Sequence, residues 1–281
     1  ACVNVYPVGA VTKGQQGLEL AEISAMAAKG MKAISEDGKS VMDSGLYRQA
    51  MKLAKEAGIT VFAHCEDINL VEKGVMNAGK RAGELGFRGI SNAVEDIITA
   101  RDIMLAKETG AKLHLCHCST KDSVRMVKEA KDNGINVTAE VCPHHFTLTD
   151  ADIPGDDANY KMNPPLRTRE DVDALLKGIS DGIMEVISTD HAPHSFDEKN
   201  TSIEKAPFGI VGLETAFALS YSELVLKNVI SLSDLVRCMS ANPAKVAGID
   251  RGTLAEGKAA DIVLTELDTE YEINTDNFRS M

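Results

Sequence analysis

The feature that most restricts the fold of this chain is an alternation. Short β-favouring runs are each followed, after a loop, by a stretch of helical periodicity. The strand-like runs are CVNVYPV (2–8), GMKAISEDG (30–38), TVFAHCED (60–67), KLHLCHC (112–118), NVTAEVCPHH (136–145) and MEVISTD (184–190). Between them, helices are expected at 18–29, 44–57 with Gly58 as its stop, 93–109, 121–133 and 171–180. The segment 68–91, rich in Gly and Lys, reads as a long excursion between strands. Such βα alternation predicts a parallel sheet with helices packed on it.

The strand ends carry the chemistry. All 7 histidines (His64, His114, His117, His144, His145, His191, His194) fall in or just after four of these runs. In parallel α/β proteins, functional side chains collect at the carboxyl ends of the strands. Histidine-tipped ends therefore favour a (β/α)8 TIM barrel over a doubly wound sheet, here incomplete at about six strand-helix units. The expected division is a barrel over 1–250, corresponding to strands 3–8 of a full barrel, and a segment 251–281 that begins the return to a small β-domain. Within that segment, strand character is expected at 261–267. The abrupt opening inside a strand suggests that further barrel strands lie upstream.

Composition narrows the partners. A net charge of -12 argues against a nucleic-acid or anionic-membrane surface, since either needs clustered Lys and Arg. A small-molecule substrate or another protein fits better. The 6 cysteines include no CxxC pair, and four of them sit inside expected core strands, as small buried hydrophobes in a reducing compartment would. No apolar run approaches the roughly 20 residues of a membrane span, and no leader-like stretch precedes the first expected strand, so a cytoplasmic location is expected.

Period-two alternation sorts the side chains. Phe62, His64 and Glu66 share one face, as do Val186, Ser188 and Asp190. In KLHLCHC, His117 shares a face with Leu113 and Leu115, whereas His114 shares the other with Cys116 and Cys118. His114 is read as a core histidine packed against helices, and His117, at the tip, as a ligand. Two imidazoles and a carboxylate from separate strands (His64, His117, Asp190) suit a divalent transition metal such as zinc. Asp190 has a competing reading as a turn or cap aspartate before Pro193, and Asn163-Pro164-Pro165 as no more than a rigid turn. Cys65 and Cys142 lack a base at readable spacing, which argues against a cysteine nucleophile.

GMKAISEDG, VFAHCED, LHLCHCSTKDSV, VTAEVCPHH, KMNPPLR, ISTDHAPH and EKAPFGIVGLETAF, in this order across essentially the whole chain, resemble the motifs of class I, metal-dependent dihydroorotases of the amidohydrolase superfamily. That resemblance implies a (β/α)8 barrel with a small β-sandwich, two Zn2+ ions per complete site, and the interconversion of N-carbamoyl-L-aspartate and (S)-dihydroorotate in pyrimidine biosynthesis. It implies that His64 and His117 bind one metal and that Asp37 bridges the two. Asp190 binds the other metal and moves the proton. Asn163 and His194 contact substrate, and the Phe208-Gly209 backbone forms part of the pocket. Relatives that bridge their metals through a carboxylated lysine make Lys32 an alternative to Asp37; its other reading is a lysine whose stem packs along the strand. The family's His-x-His pair on the first barrel strand has no counterpart in this sequence, which implies that these residues alone leave the metal site, and with it the activity, incomplete. Two other functions compete: a dihydropyrimidinase-like or allantoinase-like cyclic-amide hydrolase, and a non-catalytic dihydroorotase-like partner of aspartate transcarbamoylase. A homodimer is a further expectation.

Overall fold

The computed structural model describes residues 3–280. Six strands, β1 (Gly9–Ala10), β2 (Ala33–Ser35), β3 (Thr60–Ala63), β6 (Lys112–Leu115), β7 (Val137–Val141) and β8 (Val186–Ile187), form one sheet in chain order. Every pairing is parallel. Each connection contains a helix: α1 (Ile23–Ala28), α2 (Ser44–Ala57), then α4 (Ala93–Thr109) after an excursion, α5 (Lys121–Asp132), and finally α6 (Pro143–Thr147) with α7 (Arg169–Ser180). A doubly wound sheet reverses its strand order at a switch point; this order never reverses, as in successive units of a β/α barrel.

The helices form where local signals ask for them. Asp43 caps α2 by accepting from the Gly45 and Leu46 amides at 2.7 and 2.9 Å, and Gly58, at φ 72°, ends it. The excursion holds a two-stranded parallel ribbon, β4 (Met76–Asn77) with β5 (Gly89–Ile90), and the short helix α3 (Lys80–Leu85). Val75, Met76, Ile153, Met162 and Leu166 give it a small apolar cluster of its own.

Register decides which face each side chain takes. Ile34, Val61, Leu113 and Val137 align across the sheet, all nearly or fully buried, and join the main core with Met51, Ala54, Ile98, Val127 and Leu175 of the helices. Ser35, Phe62, His114 and Thr138 align on the opposite face, with Glu140 two residues further on. One face is thus an apolar seat for helices, and the other is polar.

Three expectations are corrected here. The first strand lies at Gly9–Ala10 rather than at 2–8: residues 3–8 form no strand, Val3 and Val5 are exposed, and Cys2 lies outside the described residues. Pro7 also removes one ladder donor. Residues 261–267 form no strand; Ile262, Val263 and Leu264 are exposed, and an isolated strand with no neighbour to pair has no source of stability. Last, His114 is the expected core histidine, but its register puts it on the polar face rather than on the face that meets the helices. It is 1% exposed and belongs to the polar face, held by Thr138 and Glu140.

Candidate metal centre at the carboxyl edge of the sheet

His64 continues the Phe62 face one residue beyond β3, so its ring projects over the polar side of the sheet. His117 reaches the same place by another route. Alternation from Leu113 and Leu115 would send it to the helix side, but residue 117 adopts a left-handed backbone, φ 33°, which a non-glycine residue takes up only when its surroundings hold it. Glu140 supplies part of that hold by accepting from the His117 amide at 3.2 Å. The turn brings His117 Nε2 to 2.9 Å from His64 Nδ1, with the rings edge to face.

Asp37 sits beyond the carboxyl end of β2, its Oδ1 4.0 Å from His64 Nδ1 and its side chain 69% exposed. Its neighbour Glu36 is buried and accepts from the Thr12 amide at 3.0 Å and from the Thr12 hydroxyl, which ties this tip to the chain leaving β1. Lys32 precedes β2 at the opposite, amino end and is exposed, so the strand itself separates it from the histidines. Asp190 also has a left-handed backbone, φ 47°. It lies outside the group formed by Asp37, His64 and His117, whose ligand atoms are all within 4.8 Å of one another.

The electrostatics follow from burial against partners. Burial pushes the Asp190 carboxyl upward; His117 and His64 pull it down, and Asp37 and Glu140 add to the rise. Burial opposes a charge on His64, but the hydrogen bond and charge of Glu66 outweigh it and raise its pKa. Burial likewise works against the carboxylates of Glu66 and Glu140, yet the hydrogen bond and charge of His64 with the hydrogen bond of Asn163 on the first, and the hydrogen bond and charge of His114 on the second, hold both below the usual range.

The donor set fits a divalent ion. Two imidazole nitrogens at about 2.0–2.1 Å from one tetrahedral ion stand about 3.4 Å apart, so the present 2.9 Å needs only a small opening. Asp37 supplies a carboxylate on the same side, and the second ring nitrogen of His64 is already engaged by Glu66 at 3.2 Å. His117 Nδ1 is buried without a hydrogen-bond partner.

The remaining expected residues are joined to one another by hydrogen bonds and, through Asn163, to Glu66. His194 Nε2 lies 2.9 Å from the Phe208 carbonyl. Gly209 follows at φ 132°, where a Cβ would come within 2.6 Å of the Ala192 carbonyl and 2.9 Å of His194 Nε2, so only glycine fits. The Gly209 amide donates to the Lys161 carbonyl at 3.0 Å, joining this turn to the loop that carries Asn163. Asn163 Nδ2 donates to Glu66 Oε1 at 2.9 Å.

Sequence reasoning missed three features. Glu140 orients both His114 and the His117 backbone; its signal is a carboxylate in the middle of a buried strand, on the same face as Thr138. Cys142, His144 and His145 form a second buried group within 4.8 Å, with His144 pushed down to about 3 and His145 also well down by burial, so both rings are neutral. Arg167, 2% exposed, bonds Ser119 Oγ at 3.0 Å and the Ile90 carbonyl at 2.9 Å, and faces Glu95 at 3.7 Å.

An unreversed parallel sheet with metal-competent side chains at its carboxyl edge is the frame of a β/α-barrel hydrolase, and the sequence match agrees: a model described as the amidohydrolase family covers residues 11–280, and the chain belongs to that family. Within it, the dihydroorotase of Geobacillus sp. (strain WCH70) is 48% identical over 280 residues, which are 100% of this chain and 66% of that relative. This chain therefore spans slightly less than two thirds of that relative's length. Among solved structures, the L-hydantoinase (dihydropyrimidinase) from Arthrobacter aurescens superimposes with a TM-score of 0.82 over 99% of this chain and 64% of its own, at 24% identity, a likeness of fold. The dihydropyrimidinase from Brevibacillus agri NCHU1002 gives 0.74 over 84% of this chain and 55% of its own, at 27% identity. No helix among the described residues is long and apolar enough to cross a membrane.

Proposed function

We propose that this chain is the greater part of a dihydroorotase, which interconverts N-carbamoyl-L-aspartate and (S)-dihydroorotate in the cytoplasm. The observation that carries the reading is 48% identity to a dihydroorotase along the whole of this chain, against 27% to the dihydropyrimidinase over 84% of it. In this reading His64, His117 and Asp37 would hold a divalent ion such as zinc, and Asp37 with Asp190 would serve a second ion. A bound divalent ion supplies the Lewis acidity that makes water nucleophilic near neutral pH. Asp190, its carboxyl raised by burial, accepts the proton of the attacking water and returns it to the departing ring nitrogen. Asn163 and His194 orient the substrate's polar groups against the Phe208-Gly209 backbone. The barrel is assigned to 1–250. Residues 251–281 are assigned to the return toward a small β-domain, a reading supported by the exposed run Ile262, Val263 and Leu264.

Two measurements test this together: metal per chain by elemental analysis, and turnover of dihydroorotate beside dihydrouracil, hydantoin and allantoin. Bound zinc with turnover of dihydroorotate alone is the expected result, in this chain or in a version extended to the full length of its relatives. Turnover of the other cyclic amides instead would move the assignment to a dihydropyrimidinase or allantoinase. No metal and no turnover in either form, with copurification of aspartate transcarbamoylase, would replace it by the structural-partner reading.

A further inference from the structure

Glu66 is 8% exposed, and both of its carboxylate oxygens are used. Oε2 stands 3.2 Å from His64 Nε2, and Oε1 accepts from Asn163 Nδ2 at 2.9 Å. Its main chain is fixed as well: Ser40 Oγ accepts from the Glu66 amide at 3.1 Å and donates to the His64 carbonyl at 2.6 Å, bracing both residues at once. A buried carboxylate held this firmly is an orienting group, because leaving either oxygen unpaired would carry a desolvation penalty.

We propose that Glu66 is a positioning residue that selects the tautomer of His64 and couples the metal centre to the loop bearing Asn163. This rests on the metal-binding reading above and deepens it. A neutral imidazole carries one proton on one of its two nitrogens. With Glu66 accepting at Nε2, the proton resides there, and Nδ1 keeps its lone pair turned toward His117 and Asp37, as a metal ligand must. The other oxygen pins Asn163, so displacement of His64 is felt at the substrate loop, and displacement of that loop is felt at His64.

The test uses the full chain and its variants Glu66→Gln and Glu66→Ala, with Co2+ as the probe ion. Removing an orienting carboxylate behind a histidine ligand weakens metal binding roughly 10–100-fold. Affinity measured by chelator competition is therefore expected to fall toward the lower figure in Glu66→Gln, which keeps an oxygen acceptor, and toward the upper in Glu66→Ala. Nitrogen-15 correlation spectra of the metal-free proteins, taken at a pH raised until the His64 ring signals no longer move, read the tautomer directly. His64 protonated at Nε2 in the unaltered chain and a mixed population in Glu66→Ala is the expected pair. Equal Co2+ affinity in all three proteins, or an unchanged tautomer in Glu66→Ala with an unchanged melting temperature, overturns the proposal. If Glu66→Ala does not fold, Glu66→Gln decides by affinity alone. Should the unaltered chain bind no Co2+, the metal reading fails, and the tautomer comparison still decides the role of Glu66.

Discussion

On the helix side of the sheet, Ile34, Val61, Leu113, Leu115 and Val137 meet α2, α4, α5 and α7 with almost no exposed area. On the other side, the same strands offer Ser35, Phe62, His114, Thr138 and Glu140, a face held by hydrogen bonds between side chains. The first arrangement is stabilised by shape and the hydrophobic effect, and the polar groups buried within it, such as Asp102, are paired. The second makes its contribution through the placement of donors and acceptors. Stability and chemistry are thus divided between two sides of one set of strands, and substitutions on the two sides should separate them.

The sharpest break is expected at Leu115→Ala on the helix side. Truncating a fully buried leucine costs about 2–5 kcal/mol, so the urea midpoint should fall steeply while metal affinity, measured on the folded fraction, stays within about threefold. His117→Ala reverses the pattern. Loss of a ligand should exceed the roughly 100-fold ceiling of an orienting group in chelator competition, with only a small change in the metal-free midpoint. An unfolding transition that collapses in His117→Ala would mean that the polar face is structural, and the division drawn here would fail.

Asp102 is a carboxylate inside the helix layer, 1% exposed and beside Arg101 at 2.8 Å. Burial raises its pKa to about 6, with Arg101 acting against the rise. The folded state therefore binds this proton more tightly than the unfolded chain, and stability from this group falls as pH rises from about 4 to about 6, by at most about 3 kcal/mol. Urea midpoints at either end of that window should show a smaller loss with rising pH in Asp102→Asn than in the unaltered chain. Parallel slopes would remove Asp102 from the account. The smallest effect belongs to the outer surface: Lys128→Ala breaks an exposed pair with Asp132 on α5 and should cost under about 0.5 kcal/mol in the same assay.

How much of this was legible in the sequence follows the same division. Five of the six parallel strands, the helix-containing connections and the spans of α2 and α4 are readable, because periodicity and glycine stops are local signals; the first strand is not, since the β-favouring run 2–8 precedes the two residues that pair. His64 was readable since β3 stays regular up to its tip. His117 was placed at the right edge by the wrong argument: a left-handed residue reverses alternation, and nothing in LCHC announces it. His114 was assigned to the helix layer, although Phe62 and Thr138, its register partners, show which face it takes. The pairing of Arg167 with Glu95, and the grouping of Cys142 with His144 and His145, depend on tertiary approach that no local pattern encodes.

Arg167 has one more effect. Its guanidinium joins Asn77, Ile90 and Ser119, so the loop after Asn163 is fastened simultaneously to the β4–β5 ribbon and to the turn after β6. Releasing that loop means breaking all of these bonds in one event, with a charge left stranded. On the time axis, the wall bearing Asn163 therefore behaves as masonry rather than as a door, and the Asp150 amide, which donates to the Arg167 carbonyl at 2.9 Å, should be among the slowest to exchange its hydrogen outside the sheet.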